Sequence, residues 1–423
     1  MRRLTGILAA AVVLRMAFHA LYLPAYEGPD EPQHLARVLA FARKPIGEAL
    51  AGRWVDANVV GSVLSYPCPH PEHGCRPYPG SRAAFNLLRA APPRPERPVD
   101  RIPNREVQQP PLFYAAVGLG LRAIGAGENP AATLLAVRLF NVMLVALALF
   151  GPLRPLFRDS PGVARAGLVA LLTPGACQAF ARCSNDAAIF LWASFVLVAL
   201  DRRLPGAAMS VLLALGPLLK LTALPVSAYA VGVLLSQKRT RAAVAGAIAS
   251  VASLPLRGIH AWGLAVGPEI LAGRSGISES AGEWIRGIAR SAYGVVRAPF
   301  WAGGWHNFRA PSVLVALYAS LLGGTMLAAR RLRSRRLLPL AAGVLVAIAG
   351  TIAYGVSIRR SHGVWGGLAA WYVWGWAPWL AAAGSDLVVI DRRFVRVLFA
   401  AECLFVFAAN AWWFAVAGAV YAG

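Results

Sequence analysis

The stretch RRLTGILAAAVVLRMAFHALYLPAYEGPDEPQH, residues 2–34, decides how the rest of the chain is read. Two arginines precede about twenty mainly apolar residues, roughly the length that crosses a bilayer core, and an acidic, proline-bounded turn follows. Apolar runs of similar length recur along the chain. They place crossings at 4–23, 133–152, 167–183, 187–200, 205–219, 221–236, 242–256, 311–329, 337–356, 368–388 and 394–418, eleven in all. The composition agrees: of 423 residues 57% are hydrophobic and 14% charged, where a soluble domain carries about a quarter charged residues. The mean hydropathy is +0.55. A soluble enzyme is excluded on these grounds.

The formal charge of +23, from 42 Lys+Arg against 19 Asp+Glu, would suggest nucleic acid in a soluble protein. In a membrane protein it reports orientation, because basic residues near span ends stay in the cytoplasm. With Arg2 and Arg3 inside, every second loop should be basic. Arg154, Arg158 and Arg165, then Arg202 and Arg203, Lys238, Arg239 and Arg241, the Arg330–Arg336 cluster, and Arg392, Arg393 and Arg396 follow that alternation. No nucleic-acid partner is expected. The same parity forbids a crossing at Pro111–Gly125, so that apolar stretch is read as an interfacial helix opening at Pro110-Pro111. The first span is too long for a signal peptide and has no clear small-residue cleavage site, so it is expected to remain.

The expected fold is therefore an all-α polytopic membrane protein of about eleven transmembrane helices, one domain over 1–423. Two long outer segments, 24–132 and 257–310, are too rich in Pro, Gly and Arg to form large domains of their own. Seven prolines lie between 92 and 111, which makes that part extended rather than helical.

Candidate chemistry lies on the outer side. Asp30 and Glu31 open a helix, where an acid and Pro32 serve as cap and first turn; a carboxylate pair with His34 one turn on also makes a general base or a metal site. Asp186, in Ser184-Asn185-Asp186, caps the following helix or shares a site with Asp30. Lys220, one of three lysines, occupies an outer turn where the orientation rule disfavours it. Snorkelling leaves that position unexplained; a phosphate partner accounts for it. Arg138 faces water at the outer boundary or an anionic ligand. Arg359 and Arg360 again put charge outside, ahead of Trp371, Tyr372, Trp374, Trp376 and Trp379, an interface belt or a stacking surface for sugar or polyprenyl. Cys68, His70, His73 and Cys75 could supply four zinc ligands, but their spacing is unfamiliar, and in an oxidising exterior a Cys68–Cys75 disulfide is favoured. Cys177 and Cys183, six apart in one predicted helix, are read as packing residues.

In this order and placement the motifs resemble the GT-C superfamily of polyprenyl-phosphate-sugar-dependent glycosyltransferases. The resemblance is closest to a bacterial branch of GT-C-like membrane proteins and more distant to the aminoarabinose transferases and protein mannosyltransferases. The matching elements are Pro29-Asp30-Glu31-Pro32-Gln33-His34, Gln109-Pro110-Pro111-Leu112-Phe113-Tyr114, Ala136-Val137-Arg138-Leu139, Ser184-Asn185-Asp186, Leu219-Lys220-Leu221-Thr222 and Phe300-Trp301 to Trp305. The chain departs from it at Gln109, where relatives often have His, and at Ala370-Trp371-Tyr372, where they have Gly-Arg-Tyr.

The resemblance implies a multi-pass protein of the bacterial cytoplasmic (inner) membrane, with its N terminus in the cytoplasm and its active site outside. It implies transfer of a sugar from a polyprenyl-phosphate donor to a hydroxyl of a glycan, lipid or protein acceptor, with inversion. Asp30 would be the general base, and Asp186 would orient the acceptor, hold a metal, or both. Lys220 and Arg138 would bind the donor phosphate, with Gln109, Tyr114 and His34 nearby and Arg359 or Arg360 substituting near the last spans. A divalent ion (Mg, Mn or Zn) would draw on Asp30, Glu31, His34 and Asp186. Two other classes compete. A transporter or flippase of lipid-linked sugars would line a path with ionisable residues in the spans, where Arg15 and His19 are the conspicuous candidates. A noncatalytic assembly subunit would give Asp30 and Asp186 no shared destination.

Overall fold

A computed structural model describes residues 2–51 almost continuously and a few positions between 55 and 62 and between 104 and 110. It then describes 111–256 apart from 160, isolated stretches between 280 and 350, and 388–421 apart from 391. The described chain is helical apart from one short antiparallel pairing, β1 (Ala329–Leu332) with β2 (Val388–Ile390), in register Ala329 to Ile390 and Leu332 to Val388. The described residues bear out the all-α expectation, and this short pairing lies at the ends of two predicted spans, 311–329 and 368–388. The body of the second, with Arg359, Arg360, the tryptophan-rich segment, Cys68, Cys75 and most of 257–310, lies outside the described residues.

Among the described residues, three helices are long and apolar enough to cross a membrane: α1 (Arg2–Tyr22), α5 (Pro130–Phe150) and the Phe399–Ala417 part of α14 (Arg392–Tyr421). At 1.5 Å per residue the 21 residues of α1 cover about 31 Å. One face of α1, Ala9, Val12, Met16 and Ala20 at helical spacing, is buried, while Ile7, Leu14 and Leu21 lie exposed. A hydrocarbon solvent leaves such residues at no disadvantage. Asn129 caps α5 by accepting from the amides of Ala131 and Ala132, with Pro130 at the first helical position.

Leu8 of α1 joins the cluster of Phe405, Val406 and Ala409 on α14. Further along, Arg15 bonds Asn410 and Phe18 meets Phe414. The two helices therefore run parallel.

Elsewhere the predicted crossings are more broken. The 167–183 segment divides into α7 (Pro161–Ala170) and α8 (Pro174–Ala181). Pro174 is the reason: it starts a helix readily but cannot continue one, and it holds Thr173 extended. Cys177 and Cys183 therefore do not share a helix, since α8 stops at Ala181; both are buried free thiols. The axis then turns by 100° between α8 and α9 (Asp186–Asp201), so the pair forms a broken span or a re-entrant loop. Next come shorter apolar helices, α10 (Gly206–Leu219), α11 (Leu224–Ser236) and α12 (Thr240–Leu256), then α13 (Ala341–Gly350). Lys220 is extended between α10 and the single 3-10 turn Leu221–Ala223 that leads into α11.

A second layer covers one end of this membrane part. It consists of α2 (Glu31–Arg43), α3 (Ile46–Ala51) and α4 (Leu112–Ala123), with α6 (Leu153–Asp159) at the far end of α5. Helix α4 has 12 residues, about 18 Å, too few to cross a bilayer. Its buried stripe of Phe113, Tyr114, Val117, Gly118 and Leu121 packs on α2 instead. Gly118 allows the close approach: a Cβ there would sit 2.5 Å from Phe41 Cβ and 2.6 Å from the Val38 carbonyl oxygen.

Helix α5 joins the layers. Ala131, Leu134 and Val137 belong to the core of α2 and α4, whereas Val142, Val145 and Ala148 belong to the core of α1 and α8. Arg138 and Asn141 sit on α5 where the two cores meet.

Candidate active site

Polar side chains converge at this seam because the chain's turns end there. The turn between α8 and α9 is pinned from three sides. Asn141 Nδ2 donates to the carbonyls of Arg182 (2.6 Å) and Ser184 (2.8 Å), the Cys183 amide donates to Glu31 Oε1 (2.8 Å), and Asn185 Nδ2 donates to the Leu219 carbonyl (2.8 Å). One turn thereby fixes the ends of α2, α9 and α10 relative to α5.

Asp186, the first residue of α9, is 1% exposed and accepts from Lys220 Nζ at 2.6 Å through one oxygen. Its other oxygen accepts from Arg182 Nη2 at 2.6 Å and from the Ser184 hydroxyl at 3.0 Å. Two cations thus flank one carboxylate. Lys220 is buried, 2% exposed, rather than snorkelled.

Glu31 and Arg138 form a second ion pair, both fully buried, at 2.8 Å (Nε to Oε1) and 2.5 Å (Nη2 to Oε2). Arg138 Nη1 donates to the carbonyls of Leu23 and Ala20 at the end of α1, and the Gly28 amide donates to Glu31. Arg138 is buried rather than solvated at the boundary, and two of its nitrogens serve a carboxylate. Glu31 is likewise a structural anchor. Asp30 differs from the expected cap as well. Its backbone is left-handed (φ 59°, ψ 11°) and its side chain makes no capping bond. Asp tolerates that region better than most residues but at a cost, and such outliers cluster at functional sites.

The third group joins the cover layer to the first two. His34 Nδ1 is 2.7 Å from the Tyr114 hydroxyl, and the rings stack. The Tyr114 hydroxyl donates to Glu106 Oε2 at 3.4 Å, and His34 Nδ1 is 3.5 Å from the same oxygen. Asn104 Oδ1 accepts from the Glu106 amide, and the Gln109 amide closes the turn back onto the Glu106 carbonyl.

Burial, reinforced by the Asp30 carboxylate and opposed by Lys220 and Arg182, pushes the Glu106 carboxyl up to about 8. Burial and then the Lys220 and Arg182 charges hold His34 well below its ordinary value, so it is neutral at pH 7. Burial and the Glu106 carboxylate raise the Tyr114 hydroxyl. Asp30, Glu106, Lys220, Arg182, Asp186 and His34 therefore act on one another, a single electrostatic cluster drawn from turns spread over 190 residues.

Sequence reading missed two of these groups. Arg182 carried a signal: an arginine just inside the end of an apolar run, four before an acid, has to be paired. Glu106 carried none, lying in proline-rich sequence with no periodicity.

The expected metal ligands do not fit an ion. Both oxygens of Asp186 serve cations, Glu31 serves Arg138, and among the described residues no three His, Cys, Asp or Glu side chains gather as a ligand set. No known protein family, characterised protein or solved structure matches the chain.

Proposed function

We propose that the protein is a GT-C-type glycosyltransferase of a bacterial cytoplasmic membrane. In this reading it has about eleven crossings, its site faces outside, and it moves a sugar from a polyprenyl-phosphate donor to a hydroxyl acceptor. The observation that carries the reading is the cluster itself. Asp186 at the start of α9 pairs with Lys220 and Arg182, and Glu106 of the 104–110 turn feels their charge, at the seam between a membrane layer and an interfacial cover, where a lipid-linked phosphate and an aqueous acceptor would also meet.

The chemistry is a single displacement. The acceptor oxygen bonds to the anomeric carbon as the bond from that carbon to the phosphate oxygen breaks, which inverts the centre and releases polyprenyl phosphate. Asp30 takes the acceptor proton. Glu106 holds its own proton at neutral pH, which spares the base a second negative charge beside it. Lys220 and Arg182 stabilise charge developing on the leaving phosphate, and Asp186 holds both cations in place. Phosphate is already a good leaving group, so a general acid has little to add.

The test is transfer from a synthetic polyprenyl-phosphate sugar by wild type, Asp30→Asn and Arg182→Gln. Loss of about 10²-fold or more in kcat for Asp30→Asn is expected of a general base, with a raised donor KM for Arg182→Gln. Equal activity in Asp30→Asn and wild type removes Asp30 as base. The transporter reading draws on the half-buried Arg15 and the buried His19 of α1; movement of the donor between leaflets without transfer would favour it.

A further inference from the structure

The polar cluster lies at one end of the helix bundle, and the opposite end carries a different pattern of charge. Helix α9 starts at the seam with Asp186, and its 16 residues take the chain about 24 Å away from it. Helix α10 returns to Lys220 and α11 departs again, so the turns 202–205 and 237–239 share the far end. From 202 to 241 the sequence has no acid, while Arg202, Arg203, Lys238, Arg239 and Arg241 all fall at these two turns. Arg202, Arg203, Lys238 and Arg241 are exposed, and among the described residues none of them pairs with a carboxylate.

The two turns touch. Arg239 Nη2 donates to the Leu204 carbonyl, and Gly206 at the start of α10 abuts α12, where a Cβ on it would lie 3.2 Å from Ala242 Cβ. They also share one geometry. At the end of α9 the Leu204 amide donates to the Ala199 carbonyl and the Arg203 amide to that of Leu200; at the end of α11 Arg239 and Lys238 donate in the same way to Leu234 and Leu235. This Schellman arrangement puts Arg203 (φ 52°) and Lys238 (φ 59°) in the left-handed region, where glycine is the usual residue because a Cβ is strained. The orientation rule asks only for cations near the ends of spans. Arg202 and Arg241 meet it without left-handed strain. A long cation at both strained positions therefore points to a use for those two side chains.

We infer that the adjoining turns form a binding site for the headgroup phosphate of an anionic phospholipid, in the leaflet at that end of the bundle. Cations presented by two turns in contact approach one phosphodiester from both sides. The apolar surroundings suit the rest of the lipid. Leu204 and Leu235 at the turns, and Val211, Val244 and Ile248 further along α10 and α12, are exposed where acyl chains would run. A soluble anion would use the charge but not that apolar flank. The inference rests on the membrane reading of the bundle and is independent of the transfer chemistry.

The experiment compares wild type with Arg203→Gly/Lys238→Gly, both purified in dodecyl maltoside and offered equal amounts of dioleoyl phosphatidylglycerol and dioleoyl phosphatidylcholine. Native mass spectrometry should find phosphatidylglycerol retained in preference by wild type. The double variant should lose that preference by about tenfold or more, since a cation near the surface is worth about fivefold. Glycine relieves both left-handed positions, so the variant's melting temperature without lipid should equal or exceed that of wild type; a fall would mean that the cations hold the turns themselves and overturns the inference. Arg154→Gln/Arg158→Gln removes the same charge from α6 at the same end and should keep the preference. Equal loss in that control, undiminished preference in the glycine variant, or no preference in wild type overturns the site. Displacement of phosphatidylglycerol by millimolar inorganic phosphate would mean a free-anion site and overturns the lipid assignment.

Discussion

Removing the guanidinium of Arg138 while leaving Glu31 in place tests the anchor between the layers. Arg138→Met keeps the length and apolar stem of the side chain and deletes the two bonds to Glu31 at 2.8 and 2.5 Å and those to the end of α1. Glu31 would keep its bonds from the Gly28 and Cys183 amides but lose its salt bridge to Arg138, with its side chain 0% exposed. Breaking a buried pair in this way costs about 3–5 kcal/mol, most of it from the stranded charge rather than from the lost attraction. That origin predicts a rescue. Glu31→Gln in the Arg138→Met background removes the charge and keeps an acceptor oxygen, so it should recover about half or more of the loss; Glu31→Gln alone should be costly because it strands Arg138. The assay is reversible unfolding in mixed micelles at increasing dodecyl sulfate, followed by far-ultraviolet circular dichroism and completed as a double-mutant cycle. A loss below about 1 kcal/mol for Arg138→Met, or a double variant no more stable than that single one, would refute the anchoring role.

Asp186→Asn should be similarly destabilising, by about 3–5 kcal/mol, because it removes the buried carboxylate that both Lys220 and Arg182 donate to; adding Lys220→Met should recover part of the stability in the same unfolding assay without restoring transfer. Gly118→Ala has a diagnostic sign: in an open helix it stabilises by about 1 kcal/mol, but here the new Cβ meets backbone at 2.6 Å, so the melting temperature should fall. Glu106 predicts a pH slope. Its folded value near 8 lies above its ordinary 4.5, so the folded chain holds a proton that the unfolded chain releases; the stabilisation is complete below about 4.5 and is lost as pH rises through about 8. His34 is depressed and acts in the opposite sense, losing its contribution as pH falls below about 6.5. Melting temperatures from pH 6.5 to 8.5 should therefore decline more steeply in wild type than in Glu106→Gln; parallel profiles would remove Glu106 from the buried cluster.

What could be read in the sequence and what could not divide along physical lines. Long apolar runs bounded by caps were legible: α1 and α5 end close to the predicted crossings, because twenty apolar residues leave few alternatives to a helix. The run at 167–183 was misread, since hydropathy does not register how Pro174 breaks a ladder, and the 100° turn at 182–185 depends on bonds to Asn141, Glu31 and Leu219 from distant parts of the chain. Lys220 was singled out by its violation of the orientation rule, and it meets Asp186. Arg138 drew attention for the same reason and proved to be paired internally. A charge in an apolar context thus identifies a residue that must have a partner, but the partner can be a ligand or a side chain more than a hundred positions away, and only packing decides which.

The two ion-pair groups, close as they are, are built for different ends. Glu31–Arg138 is one carboxylate against one guanidinium, fork to fork, with the remaining guanidinium nitrogen on backbone carbonyls and with amides from Gly28 and Cys183 on the carboxylate. Each charge is matched within the pair. At Asp186 one carboxylate faces both a lysine and an arginine. These two cations act on their neighbours: they oppose the burial-driven rise of Glu106 and add to the burial that holds His34 down. A donor phosphate placed beside them would offset part of their field, and its arrival should raise both groups' affinity for protons. Glu106 would then hold its proton more firmly and the His34 value would move back up. A titration of the His34 ring by nuclear magnetic resonance, with and without polyprenyl phosphate, should show that upward movement; an unchanged His34 titration with the lipid bound would place the phosphate elsewhere.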